Sequence, residues 1–220
     1  MLGQWREQWT LKEWLALLGN ETSDREIGGE LREATLNGYP LGRELVTRLE
    51  ATLGQRLHRG KSGSPLVYLA GLDDFFLLRT LFSEVAIPLG VFQEVAIGGT
   101  QFPVARQVIA AQGNWLHTPR LRDDSRAVEF RNAGLHSGES EALALALELQ
   151  TEALLMDDSD AVEIARQLGI NVIRTTGIYR LAKQRGLIES LAPKLDQLRS
   201  AGFWLRDDHY RMILNSVGEG

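Results

Sequence analysis

The stretch of residues 135–169 constrains the fold more than any other part of this chain. It has the pattern of a helix, a short buried strand and a second helix, which is the repeating unit of a parallel α/β sheet. The first helix is built of Ala, Leu and Glu, strong helix formers, and Ser137 and Gly138 mark its start. Residues 153–156 are apolar but too few for a helix that packs by itself, and residues 170–173 offer the next strand. The sequence therefore predicts a parallel sheet covered by helices.

Acidic residues lie at two places in this unit that meet at one edge of such a sheet. Asp157 and Asp158 follow the strand directly, at the carboxyl end where ligands of open α/β sheets bind. Glu139 and Glu141 lie in the first turn of the preceding helix, where the helix dipole favours anions. Two clusters of carboxylates are therefore expected at the same sheet edge.

Composition narrows the class of protein. The net charge of −5 over 220 residues argues against a strongly basic surface for nucleic acid, although a local patch is compatible with it. Cysteine is absent, which excludes disulfides, cysteine nucleophiles and cysteine zinc sites. No apolar run approaches the roughly 20 residues that span a bilayer. We expect a cytoplasmic protein that does not enter a membrane.

The chain divides by pattern into three segments. Residues 1–60 have apolar residues at helical spacing and are predicted to be all-helical. Residues 61–190 are predicted to form the α/β domain, and residues 191–220 a helical C-terminal extension of it. Within the α/β domain, residues 120–131 are densely charged and are expected to be exposed.

The acids suggest a chemistry without deciding it. Hydrolysis of a phosphodiester by Mg²⁺ or Mn²⁺ needs oxygen ligands that converge from separate segments, because these hard cations prefer carboxylates and water. Acids on a solvated surface are also common and also separated in sequence, so spacing alone leaves both interpretations open. The candidate ligands are Glu94, Glu139, Glu141, Asp157 and Asp158, with Asp160 as a weaker one.

An ordered series of motifs after residue 64 resembles the PIN-domain ribonucleases, and most closely an uncharacterised subfamily related to VapC-type toxins. The motifs are Pro88-x-x-Val91-x-x-Glu94-Val95, Gly138-Glu-Ser-Glu-Ala-Leu-Ala-Leu-Ala146, Leu154-Leu-Met-Asp-Asp-Ser-Asp160, Gly169-Ile-Asn-Val, Thr176-Gly177-Ile178 and Gly186-Leu-Ile188. The resemblance extends from Ser64 to about Gly218.

This resemblance implies a PIN-like parallel sheet sandwiched by helices, about four acids that bind Mg²⁺ or Mn²⁺, and endonucleolytic cleavage of RNA. Matched by motif, Glu94 is the second acid, Glu141 the third and Asp158 the fourth, and these would be the catalytic residues. Glu139 and Asp157 would ligate the metal directly or through water. The family further implies the toxin of a toxin–antitoxin pair, so RNA, an antitoxin protein and a second copy of the chain are the expected partners.

The chain departs from the family at the front of the domain. Family members begin with a strand of Val and Ile that ends in an aspartate, the first metal ligand, just before Ser-Pro-Leu. Here Ser64-Pro65-Leu66 is present, but Ser62 takes the place of the aspartate and no convincing strand precedes it. Whether the chain is an active enzyme is therefore open, and the alternative is a non-catalytic fusion protein that acts by binding a partner or nucleic acid.

The N-terminal segment resembles a different family. The run Glu30-Leu-Arg-Glu-Ala-Thr-Leu-Asn-Gly-Tyr-Pro-Leu-Gly-Arg-Glu-Leu-Val, with a second run from Arg48 to Arg56, is similar to the C-terminal tail of repeat-associated tyrosine transposases. The histidine pair and the catalytic tyrosine region of those enzymes do not occur in this segment. Transposition is therefore not assigned.

Two further features have more than one interpretation. The Asp73-Asp74 pair is predicted to lie in a solvated turn. Four cations follow the last predicted strand and either contact RNA phosphates or neutralise a helix end. They are Arg174, Arg180, Lys183 and Arg185.

Overall fold

The computed structural model describes residues 65–97 and 103–220. The chain divides into two units, Met1–Leu53 and Gly54–Gly220, and the described residues all belong to the second. The predicted helical segment of residues 1–60 and the departure at Ser62 lie outside the described residues. None of the helices described is long and apolar enough to cross a membrane.

Ten helices and four short strands occupy the described ranges. In chain order they are α1 (Pro65–Gly71), α2 (Phe76–Leu81), β1 (Val85–Ala86), α3 (Leu89–Ile97), α4 (Pro103–Ala111), β2 (Leu116–His117), α5 (Ser125–Asn132), α6 (Ser137–Leu149), β3 (Leu154–Leu155), α7 (Ser159–Gln167), β4 (Val172–Ile173), α8 (Thr175–Gln184), α9 (Ala192–Ser200) and α10 (Asp207–Asn215).

The strands form two parallel pairs. Val85 of β1 lies opposite Leu116 of β2, and Leu154 of β3 lies opposite Val172 of β4. Helices connect the strands within each pair, as parallel pairing requires. The predicted α/β class with parallel strands is confirmed, and in the described ranges the four strands make two separate two-stranded sheets.

The pair β3–β4 is covered on both faces. Leu154 is buried in one hydrophobic cluster, which Val172 also contacts, whereas Leu155 and Ile173 pack against the other cluster. Successive side chains of a strand point to opposite faces, so the alternation places this pair between two helical layers. The carboxyl ends of both strands consequently emerge at one edge.

The prediction of an exposed segment at residues 120–131 is wrong for Ala127 and Phe130. Ser125–Asn132 form α5, in which Ala127 is fully buried and Phe130 is 7% exposed. These two apolar residues are three positions apart and share one helix face, which packs on the cluster that contains part of α6. The surrounding charges occupy the solvated face and obscure this pattern in the sequence.

The prediction of a solvated turn is wrong for Asp74. Its side chain is buried and accepts hydrogen bonds from the Tyr179 hydroxyl (2.8 Å) and the Lys194 ammonium (2.7 and 2.8 Å). A buried carboxylate needs such partners, because an unpaired charge is costly to bury. Both partners lie more than 100 residues away along the chain, so local sequence contains no sign of them.

Candidate functional site

Asp157 is held at the end of β3 by the start of α8. Its Oδ1 accepts the Thr175 backbone N–H at 2.8 Å, and its Oδ2 accepts the Thr175 hydroxyl at 2.5 Å. Burial raises the pKa of the Asp157 carboxyl to about 6, although the two bonds from Thr175 and the nearby Arg174 charge act to lower it. Asp157 therefore connects the carboxyl end of β3 with the carboxyl end of β4 through its hydrogen bonds to Thr175.

Asp158 forms the N-cap of α7. Its Oδ1 accepts the backbone N–H groups of Asp160 and Ala161, each at 2.9 Å. This arrangement satisfies helix donors that otherwise have no partner. No donor among the described residues bonds Oδ2, so one oxygen of Asp158 is available to a ligand.

The Glu139 side chain folds back to the first residues of α6 and bonds the residue that precedes the helix. Its Oε2 accepts the backbone N–H of His136 at 3.1 Å. Burial raises the pKa of the Glu139 carboxyl, the His136 bond lowers it, and the negative charges of Asp158 and Asp160 raise it further. Residues of α6 and α7 pack in the same hydrophobic cluster, so the acids at the two helix starts lie near one another and their negative charges repel.

Glu141 lies against α3. Its Oε1 accepts the Ser137 hydroxyl at 3.1 Å, and a Cβ built on Gly90 would lie 2.5 Å from its Oε2. A side chain at position 90 would therefore force this carboxylate to move from its present place. Burial raises the pKa of Glu141, while the bond from Ser137 and the charge of Arg131 lower it.

Glu94 lies on the face of α3 that contacts the Glu141 carboxylate at Gly90. It lies four residues after Gly90, and residues four apart share one face of a helix. Its side chain is half-buried. Helices α3 and α6 are also close at Gly138 of α6, where an added Cβ would lie 3.2 Å from Val91 Cγ2 of α3.

The five predicted ligands thus fall into three local groups. Glu94 and Glu141 belong to the contact of α3 with α6, Glu139 and Asp158 to the contact of α6 with α7, and Asp157 to the contact of β3 with α8. Across residues 65–97 and 103–220, no three acids or histidines are arranged to hold a metal ion together. The structure therefore distributes the acids over three contacts between elements, and the described residues do not form a closed cage of ligands.

Sequence reasoning missed two residues that position these acids. One is Thr175, whose hydroxyl bonds Asp157, 18 residues earlier. Gly90 received no role, yet it accommodates Glu141. A glycine in the first turn of a helix, four residues before a candidate acid, is the signal that could have identified it.

Arg174 lies beside Asp157 at the same edge. Its Nη1 donates to the backbone carbonyl oxygen of Asp157 at 3.0 Å, and its side chain is half-buried. As the N-cap of α8 it immediately precedes Thr175. The edge therefore has a cation as well as acids.

The family model DUF3368, a PIN domain, matches residues 62–219. No curated protein and no solved structure matches the chain significantly.

Proposed function

The chain belongs to the PIN-domain family, and from this membership we propose that it is a divalent-metal-dependent endoribonuclease that hydrolyses phosphodiester bonds of RNA. The observation that supports the proposal best is the placement of Glu139 and Asp158, two acids from separate segments, at the starts of α6 and α7, which pack in one hydrophobic cluster. A cation bound between such acids would reduce the repulsion between their negative charges.

The donor set suits Mg²⁺ or Mn²⁺. All five candidates offer carboxylate oxygens, the ligands that these hard cations prefer. Mg²⁺ commonly keeps several waters and uses only one or two carboxylates together with substrate phosphates, so a site without three converged acids in the described ranges is compatible with it. We accordingly expect the chain to bind the cation weakly without RNA.

The proposed ligands have different freedom to bind. Asp158 has an oxygen that bonds no described residue, and Glu141 is oriented by Ser137 and by the space at Gly90. One or two of the residues Asp158, Glu141 and Glu94 would bind the ion directly, and the others, with Glu139, would bind it through water. Asp157 would contribute its charge, because both of its oxygens already accept bonds from Thr175.

The reaction is the addition of water to phosphorus. A bound ion would activate the water and neutralise charge on the phosphate. The water oxygen forms a bond to phosphorus, the bond from phosphorus to one ester oxygen breaks, and that oxygen takes up a proton. The protein's carboxylates fix where the water and the phosphate meet, which is the main contribution of the protein in such reactions.

We further propose that this activity serves as the toxin of a toxin–antitoxin pair, with an antitoxin protein and a second copy of the chain as partners. The family resemblance of the ordered motifs supports this part of the proposal.

Cleavage of a fluorogenic single-stranded RNA tests the proposal. Asp158→Asn should reduce the Mn²⁺-dependent rate by roughly 100-fold, because it removes a charged ligand while an asparagine still caps the helix. Asp123→Asn is the matched control, since Asp123 also accepts the backbone N–H of the residue two positions later, at the start of α5 (2.9 Å). Equal rates for both variants, or cleavage that persists in EDTA, would contradict the proposal.

A second candidate function is binding without catalysis. It is favoured by Ser62 in the place of the family's first aspartate and by the lack of three converged acids among the described residues. A folded wild-type chain that binds no Mn²⁺ and cuts no RNA would favour this function over the nuclease.

A further inference from the structure

Arg174 has a position that its own helix does not explain. It precedes the first turn of α8, and the N-terminus of a helix favours anions and disfavours cations. Lys183 and Arg185 lie at the other end of α8, where the dipole favours them. Neutralisation of a helix end, which the sequence suggested for all these cations, therefore suits Lys183 and Arg185 but not Arg174.

The cations at the far end of α8 also have structural partners. Lys183 Nζ lies 3.0 Å from Glu219 Oε1 in an ion pair, and Arg185 Nη1 donates to the Leu81 carbonyl oxygen at 3.2 Å. These contacts tie α8 to the C-terminus and to α2. They account for both residues without a ligand.

The charge of Arg174 is not used in an ion pair within the described residues. The guanidinium is held by a neutral carbonyl oxygen, that of Asp157, and no described carboxylate lies within ion-pair distance of it. A guanidinium has five N–H donors in a planar fork, and this bond uses one of them. The remaining donors are available to an anion at the edge of the sheet.

The chemistry of this edge specifies which anion suits it. Asp157 lies beside Arg174 and Asp158 follows it in the chain, so a free carboxylate ligand would meet acids and gain little. A phosphate that arrives with a divalent cation is different, because the cation screens the acids while the fork binds two phosphate oxygens. We propose that Arg174 contacts a backbone phosphate of the bound RNA, an inference that rests on the proposed function.

Arg174→Gln and Arg185→Gln form a matched pair for the test. Both arginines flank α8 and both donate to a backbone carbonyl, but only Arg174 lies at the edge with the acids. Binding of a fluorescein-labelled octauridylate RNA is measured by anisotropy in Ca²⁺, across a series of salt concentrations. The measurement is made at pH 8, so that Asp157 is ionised in every variant.

Arg174→Gln should weaken RNA binding about tenfold, the usual effect of losing a charge-assisted hydrogen bond. It should also reduce the slope of log affinity against log salt by about 0.7, as expected for one phosphate contact with a single strand. Arg185→Gln should change neither quantity. Arg174→Lys should retain the salt slope and lose several-fold in affinity, since lysine keeps the charge without the fork.

Two outcomes overturn the role of Arg174. One is unchanged affinity and slope in both Arg174 variants while the wild type binds RNA and Mn²⁺, which leaves the nuclease proposal intact. The other is a wild type that binds neither octauridylate nor Mn²⁺ in calorimetry, which refutes the nuclease proposal and this inference together. A thermal melt of each variant separates loss of contact from loss of fold, and Arg174→Lys remains informative if Arg174→Gln does not fold.

Discussion

Burial of Asp157 should make the protein less stable as the pH rises, the opposite of the usual behaviour of an aspartate. Its folded pKa is about 6, against an ordinary value of 3.8. Below pH 3.8 the carboxyl is protonated in both the folded and the unfolded chain. Between about pH 4 and pH 6 the unfolded chain has lost the proton and the folded chain retains it, so each step up in pH favours unfolding.

The size of this effect follows from the shift in pKa. A difference of about two pKa units corresponds to about 3 kcal/mol of unfolding free energy, lost across this window and absent above pH 6. Asp157→Asn removes the charge and can keep a bond with Thr175. Near pH 4 the unfolding free energy of the variant should match or approach that of the wild type. From pH 4 to pH 7 the difference between variant and wild type should grow in favour of the variant by about 3 kcal/mol.

Urea unfolding of both proteins, followed by circular dichroism from pH 4 to pH 8 in EDTA, measures this difference. Asp123→Asn is the control, because bonds from Ser125 lower the pKa of the exposed Asp123 and should give a pH dependence of opposite sign. A difference between wild type and Asp157→Asn that stays constant over the pH range would refute the reasoning, since it would mean that burial does not disfavour the charge.

Two further substitutions test other contacts. Gly90→Ala should displace the Glu141 carboxylate by about 1 Å and reduce RNA cleavage by up to about 100-fold, with little change in melting temperature. Gly71→Ala is the control, because nothing lies within 4 Å of the added Cβ, and it should leave the cleavage rate unchanged. Equal rates for the two alanine variants would contradict this account of Gly90. Lys194→Met should lower the unfolding free energy by about 3 kcal/mol in urea, because it leaves the buried Asp74 without its cation; an effect below about 1 kcal/mol would show that this ion pair is not required.

Periodicity and local composition were sufficient for much of the fold. The unit from α6 to β4 appeared in the sequence because Ala and Leu repeat at helical spacing and the strands are short apolar runs bounded by acids or glycine. Asp207 and Asp208 lie in the first turn of α10, where the helix dipole favours acidic residues. These features depend on neighbours in sequence.

The parts that sequence could not predict depend on contacts between distant residues. The bonds from Thr175 to Asp157 and from Lys194 to Asp74 join residues 18 and 120 positions apart. Local patterns specify which segments are helices, but not which side chain of one helix meets an acid of another. The candidate acids could therefore be named from motifs, whereas their partners and their division into three groups required the structure.

Calorimetric titration of Mn²⁺ into the wild type and Asp158→Asn tests most directly whether the acids at this edge bind a divalent cation. Circular dichroism first establishes that the two proteins fold alike. The account predicts saturable, weak binding by the wild type that strengthens with RNA present and is lost in Asp158→Asn. Unchanged binding in the variant, or none by a well-folded wild type with or without RNA, would contradict it.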